Sequence, residues 1–155
     1  WPLCHDLMTA KDGDDNVGAG TVNWVTQTSF DPPLVAIGVK VDSGLYAIAK
    51  AAGSFALNML GKGQQGAAFS FFKPAELDGD TISGEPVTAG STGSPLLSNA
   101  SAALECKIVE VVEQGDHHIV VGEVVDVHQS KAPEGRADEA ILEMKDLGDN
   151  VFYGG

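Results

Sequence analysis

The stretch "AALECKIVEVVEQGDHHIVVGEVVDVHQ", residues 102–129, restricts the fold more than any other part of the chain. Leu104, Cys106 and Ile108 alternate with Glu105 and Lys107, the period-two pattern of a half-buried strand. A turn at residues 114–116 leads into a second long run with Val at both parities. Two long strands joined by a four-residue loop form an antiparallel hairpin, and the rest of the chain has to be arranged around it.

The other segments fit that arrangement. Residues 7–12, "LMTAKD", form a first strand; "GDDNVGAG", residues 13–20, supplies turn residues, and residues 21–30 return as the second strand. Pro32 and Pro33 break the ladder, because neither can donate a backbone hydrogen bond. Residues 34–41, "LVAIGVKV", are nearly all apolar and are expected to be buried on both faces.

Leu45, Ile48, Ala49 and Ala52 then keep the spacing of one helical face, with Asp42 or Ser43 as N-cap and Gly53 as the terminating glycine. Residues 54–60 read as a strand. "GKGQQGAAFSFFK" reads as a short helix with Gln65, Phe69 and Phe72 on one side and Pro74 ending it. Residues 75–101 read as loop with one or two short strands around "TISGEPVT", and the charged tail holds a short helix at "ADEAILEMKDL". Many strands, few short helices and hairpin connectivity predict a mainly β fold, a closed or nearly closed antiparallel barrel with helical caps.

With 155 residues, the chain is expected to be one domain spanning 1–155. A hydrophobic content of 43% excludes a disordered chain. No apolar run approaches the ~20 residues of a membrane helix, and the start "WPLCHDLMTA" lacks the pattern of a signal peptide. Nine Lys and Arg against 22 Asp and Glu give a net charge of −13, which repels nucleic acid and anionic membranes. A phosphorylated ligand needs a local positive site of its own. Cys4 and Cys106 form no CxxC pair; two free thiols in a reducing cytoplasm is the favoured reading, and a disulfide between them is the alternative.

Three stretches could carry chemistry. In "VKVDSG" a strand ends at Lys40 and a helix begins at Asp42 or Ser43, so a Lys, a Ser hydroxyl and unpartnered helix N–H groups lie together. That is either a phosphate site or an ordinary capped helix beside a surface Lys, and Asp42 counts against the phosphate. "GKGQQG" and "GAG" lack the features of phosphate loops and read as turns. His117 and His118 are adjacent in a strand and face opposite ways; with His5 and His128 they show no ligand spacing, so no metal site is assigned. No GxSxG elbow or Cys–His pairing marks a nucleophile.

The third stretch is "TVNWVTQTSF", residues 21–30, polar on both faces yet carrying Trp24 and Phe30. These aromatics are either core residues or the apolar wall of a planar polar ligand such as flavin, whose rim takes hydroxyls and peptide groups.

"TVNWVTQTSFDPPLVAIGVKVDS", then "GSFALNML" and "ALECKIVEVVEQGDHHIVVGEVV", resemble the flavin reductase-like family of FMN-binding split barrels over residues 7–130. The wording is also similar to the flavin reductase-like domain of cyanobacterial flavodiiron proteins. The resemblance implies a six-stranded split barrel, a homodimer, and FMN near the subunit interface. On that pattern Asn23, Trp24, Val25 and Thr26, with Ser29 and Phe30, line the flavin ring; Lys40, Ser43 and Gly44 meet the phosphate; Asn58 and Phe72 lie close to the flavin or its tail. Where many relatives carry a further hydroxyl after the Ser43 position, this chain has Gly44 and Leu45.

The function implied is an NAD(P)H-dependent flavin oxidoreductase in which the protein positions two rings and no side chain need act as acid or base. The alternatives are a flavin-bound electron carrier fed by a redox partner protein, and a flavin-binding module without redox work.

Overall fold

The computed structural model describes residues 6–153. Its main sheet holds seven strands: β1 (Asp6–Asp12), β2 (Asn16–Val22), β3 (Val25–Phe30), β4 (Pro33–Lys40), β5 (Ser54–Met59), and the long pair β10 (Ala102–Val112) and β11 (His117–Gln129). Their order is β2-β1-β5-β10-β11-β4-β3, antiparallel at every step. A second sheet, β6 (Leu77–Asp78), β7 (Thr81–Ile82), β8 (Glu85–Ala89) and β9 (Pro95–Leu97), occupies the stretch read as loop with one or two short strands, and β7 and β8 are the strands expected around "TISGEPVT". The fold is mainly β with few short helices. Among the described residues no helix is long and apolar enough to cross a membrane.

The hairpin that anchored the sequence reading is present, with Val112 opposite Ile119 and the four loop residues between the strands. The second strand differs from expectation. Residues 16–22 are strand rather than turn, and the chain breaks at Asn23 and Trp24 before β3 begins. The glycines of "GAG" therefore lie inside β2. A Cβ on Gly18 would stand 2.8 Å from the Leu45 Cα, so the bare backbone lets a helix sit directly on the strand.

β2 and β3 are the two edges of the sheet although only Asn23 and Trp24 separate them. The sheet thus bends until its edges adjoin at that corner, where Gly38 N of β4 donates to the Trp24 carbonyl at 2.9 Å. β4 buries Val35, Ile37 and Val39 while Leu34, Ala36 and Gly38 stay partly open. It is buried on one face, not both, because among the described residues no layer covers the outer side. Thr26, Gln27 and Thr28 are exposed on β3, so much of that strand's polarity belongs to a solvated sheet edge.

The helix α1 (Gly44–Ala52) forms as the spacing predicts. The Ser43 hydroxyl accepts from Tyr46 N at 3.1 Å, and Gly53 ends the helix in the left-handed region at φ 69°. Leu45, Tyr46 and Ala49 join Met8, Ile37, Phe55, Leu57 and Cys106 in the main core. The shorter α2 (Gln65–Ser70) buries Ala67, Ala68 and then Phe71; Phe69 and Phe72 share the exposed side, packed edge to face. The tail forms α3 (Ala137–Ala140) and a 3₁₀ turn at Met144–Leu147, pinned by the fully buried Leu142.

Candidate functional site

The seam between the sheet edges opens into a cleft of about 410 Å³, walled by β2, the end of β4, the start of α1 and residues 71–75. Lys40 and Ser43 stand at one side of it, and Asn23, His117 and Tyr153 also line it. The Lys40 corner is held rigidly. Ser43 Oγ donates to the Lys40 carbonyl at 2.7 Å, and Val41 N donates to the Asp116 carbonyl at 3.1 Å. Tyr46 OH meets His118 Nδ1 at 2.6 Å, and Lys50 pairs with Glu113, so α1 is tied to the tip of the β10–β11 hairpin.

Gly44 and Leu45 are the first helical residues, and their N–H groups have no partner within the helix. The helix dipole adds partial positive charge there. Lys40 Nζ lies 3.2 Å from the Asp42 carboxylate, both groups more than half exposed, so the pair is solvent-screened and easily exchanged for another anion. Lys73 also lines the cleft. In a chain of charge −13 this is a concentrated set of donors.

At the other end, Trp24 packs against Gly38, where a Cβ would stand 3.0 Å from the indole. The His117 ring lies 4.7 Å from the Trp24 ring, and His117 Nδ1 is 2.9 Å from Asp116 Oδ1. The hydrogen bond from His117 holds the Asp116 carboxyl below the usual range. His117 and His118 do face different partners, as adjacent strand residues must.

Of the residues proposed from sequence, Asn23, Lys40, Ser43, Gly44 and Phe72 line this one cleft. Trp24, Val25 and Thr26 line an adjoining shallow groove with Ile37 and Ile119, which shares Asn23 and Gly38 with the cleft. Val25 itself is mostly turned into the core. Ser29 and Phe30 line neither; Phe30 is 89% exposed at the sheet edge. Asn58 is fully buried, with its amide donating to the Leu7 carbonyl and Thr9 Oγ1 and its oxygen accepting from Leu97 N. In this chain it is a core pin between β1, β5 and β9. Sequence reasoning missed Lys73, His117, Tyr153 and the wall of β2.

Away from the cleft, Glu105, Asp126 and His128 each bring one ligand atom within 4.8 Å of the others. Glu105 is already engaged by Ser91 N, Thr92 N, both their hydroxyls and His128. The cluster is a clamp that fastens the β8–β9 loop to the main sheet. Cys106 is a free, buried thiol pushed up to about 12 by burial, and so inert; Cys4 and His5 lie outside the described residues.

The family pattern described as "Flavin reductase like domain" matches residues 7–145. A diflavin flavoprotein of Synechocystis sp. is 32% identical over 127 residues, 81% of this chain and 22% of that protein. An NADH-dependent FAD reductase of Streptomyces globisporus is 38% identical over 119 residues, 74% of this chain and 64% of that protein. The chain thus spans a fraction of these relatives' length. Among solved structures, the NADH:FAD oxidoreductase of S. globisporus C-1027, in complex with NAD and FAD fragments, superposes with a TM-score of 0.74 at 29% identity. That match covers 99% of this chain and 87% of that one. An FMN-binding protein from Thermus thermophilus gives 0.72 at 26% identity, covering 83% and 71%.

Proposed function

The chain belongs to the flavin reductase-like domain family, and from that premise we propose that it binds FMN in the Lys40–Asn23 cleft and passes hydride from NAD(P)H to the flavin. The observation that carries this reading is convergence: Asn23, Lys40, Ser43, Gly44 and Phe72 come from separate segments and line one cleft. Lys40, Lys73 and the free N–H groups of Gly44 and Leu45 suit a phosphate, and the Trp24–His117 end suits a flat ring with a polar rim.

Bound flavin would supply the hydride acceptor that no side chain here offers. The chain's own residues bind, orient and desolvate. Lys40 and the α1 terminus hold the anionic end, and Asn23 and His117 offer hydrogen bonds at the ring end. The fold reading follows: the sheet curled to bring β2 and β3 together is taken as the family's split barrel. A homodimer is supported by the free edge of β3 with its exposed Phe30, and by exposed Ile119 nearby on the adjoining groove. The free thiol Cys106 suits a reducing cytoplasm.

A second reading, an FMN-bound electron carrier fed by a partner protein or domain, is favoured by one observation: the match to the Synechocystis protein covers only 22% of it. One experiment separates these. The purified protein is examined for flavin absorbance, loaded with FMN if colourless, and mixed anaerobically with NADH and with NADPH. Rapid bleaching of the flavin bands by either supports the reductase; flavin that neither bleaches supports the carrier. Failure to take up FMN or FAD overturns both readings.

A further inference from the structure

Two groups of the cleft, on Asn23 and His117, and the Trp24 ring of the adjoining groove all meet one residue, Tyr153. Asn23 Nδ2 donates to the Tyr153 carbonyl at 2.9 Å, the Tyr153 hydroxyl lies 2.5 Å from His117 Nε2, and the Tyr153 ring stands 5.5 Å from that of Trp24. An amide donor, an imidazole nitrogen and an indole face are what a planar heteroaromatic ligand uses for orientation. Tyr153 is itself planar, apolar on its faces and polar at its rim. It fills that corner as a ligand ring would.

Asp116 defines the contact further. Its carboxylate lies 2.9 Å from His117 Nδ1 and so holds the ring with Nε2 turned to the Tyr153 hydroxyl. Once Tyr153 leaves, Nε2 is available to hydrogen-bond a ligand in the cleft.

The segment carrying Tyr153 is built to be displaced. Residues 151–153 lie in neither helix nor strand, and their local backbone bond is Val151 N to the Gly148 carbonyl at 3.2 Å. Phe152 is 77% exposed and Tyr153 47%, so lifting the segment uncovers little apolar surface that is not already in water.

We propose that Tyr153 gates the cleft: it occupies the Asn23–His117–Trp24 corner in the ligand-free protein, and a planar heteroaromatic ring binds there by displacing it. The proposal rests on the flavin reductase reading, which supplies two such rings, the isoalloxazine and the nicotinamide. Because a closed gate reduces apparent affinity by the fraction of molecules that are open, its removal tightens binding with no new contact.

The test titrates FMN, and separately NADH, into the wild type, Tyr153→Ala and Tyr153→Phe, followed by calorimetry. A ligand that uses the corner binds Tyr153→Ala about tenfold tighter than wild type, and Tyr153→Phe, which loses only the hydroxyl contact, about threefold tighter. Tightening of FMN alone assigns the corner to the flavin, and tightening of NADH alone assigns it to the nicotinamide. Unchanged affinity for both ligands across the three proteins overturns the gate while leaving the flavin reading intact. Weaker binding by Tyr153→Ala also overturns it, by making Tyr153 part of the wall. If none of the three proteins binds either ligand, the flavin reading falls and the gate with it.

Discussion

His128 Nε2 of β11 lies 2.7 Å from Glu105 Oε1 of β10, and the Glu105 side chain is fully buried beneath the loop that it fastens. Burial pushes this carboxyl up, but the Thr92 hydroxyl and N–H, His128 and the Ser91 N–H overcome that and hold it at about 2. A carboxyl held below its unfolded value adds stability that is complete above about 4.5 and is lost as pH falls through about 2. Glu105→Ala should therefore cost on the order of 3 kcal/mol at pH 7. Urea unfolding at pH 7 and pH 2.5 checks this: the gap between variant and wild type should shrink at the lower pH.

Asp6 has the opposite sign. It is 2% exposed, its Oδ2 has no hydrogen-bond partner among the described residues, and burial raises it to about 7. A raised carboxyl contributes most below its unfolded value of 3.8, and that contribution is lost as pH rises through about 7. Asp6→Asn should unfold at a higher temperature than wild type at pH 8, by about 1–3 kcal/mol of stability, and show less change between pH 5 and 8. Melting curves across that range decide it; a wild type that is more stable at pH 8 than at pH 5 contradicts the assignment.

The phosphate end of the cleft is tested by comparing ligands. Lys40→Ala with Ser43→Ala should weaken FMN by about one to three orders of magnitude, from loss of a charge-assisted bond and a helix terminus. Riboflavin, without the phosphate, should bind both proteins almost equally. The control matters because Ser43 also caps α1 through Tyr46 N, and loosening the helix would weaken both ligands. Lys73→Ala should give a smaller loss for FMN alone.

Trp24 reports on the other end. Added FMN should quench part of the tryptophan emission, and Trp24→Phe should abolish most of that quenching. Quenching that survives in the variant places the flavin away from the β2–β3 corner.

Dimerisation through the β3 edge should appear in light scattering as twice the chain mass of 16.0 kDa, and Phe30→Glu should shift it towards monomer. A monomer in the wild type at micromolar concentration, with flavin bound, rules the interface out.

The long hairpin and α1 were legible because each repeats one period over enough residues: alternation through Leu104, Cys106 and Ile108, and the spacing of Leu45, Ile48 and Ala49. The break at Asn23 and Trp24 was hidden because neither residue is a Gly or Pro, and β2 was hidden because its glycines imitate a turn. The second sheet is made of strands two to five residues long, too short to show a period. Lys40 and Ser43 were proposed from a motif read along the chain and Asn23 from the family resemblance, and all three line one cleft. Tyr153 reaches the same cleft from the far end of the described residues, a proximity that no local pattern encodes. His117 had a signal in "GDHH", since a His beside a tight turn projects where strands end. Asn58 was placed by the family resemblance alone, and no local pattern shows that its side chain completes a buried hydrogen-bond set with Leu7, Thr9 and Leu97.

In the strand order, β10 and β11 stand between β5 and β4, so they join two halves made earlier in the chain. A nascent chain that has emerged only as far as Ala100 can form the β1–β2 and β3–β4 hairpins and lay β5 beside β1. It cannot pair the open backbone edge of β5 or that of β4, and the core faces of these strands, with Phe55, Leu57, Ile37 and Val39, stay incompletely covered. Two strand edges therefore wait unpaired until residues 102–129 leave the ribosome. Slow translation or a stop codon inside that interval exposes the protein to aggregation, and chaperone demand during synthesis should peak there and fall once Gln129 is free.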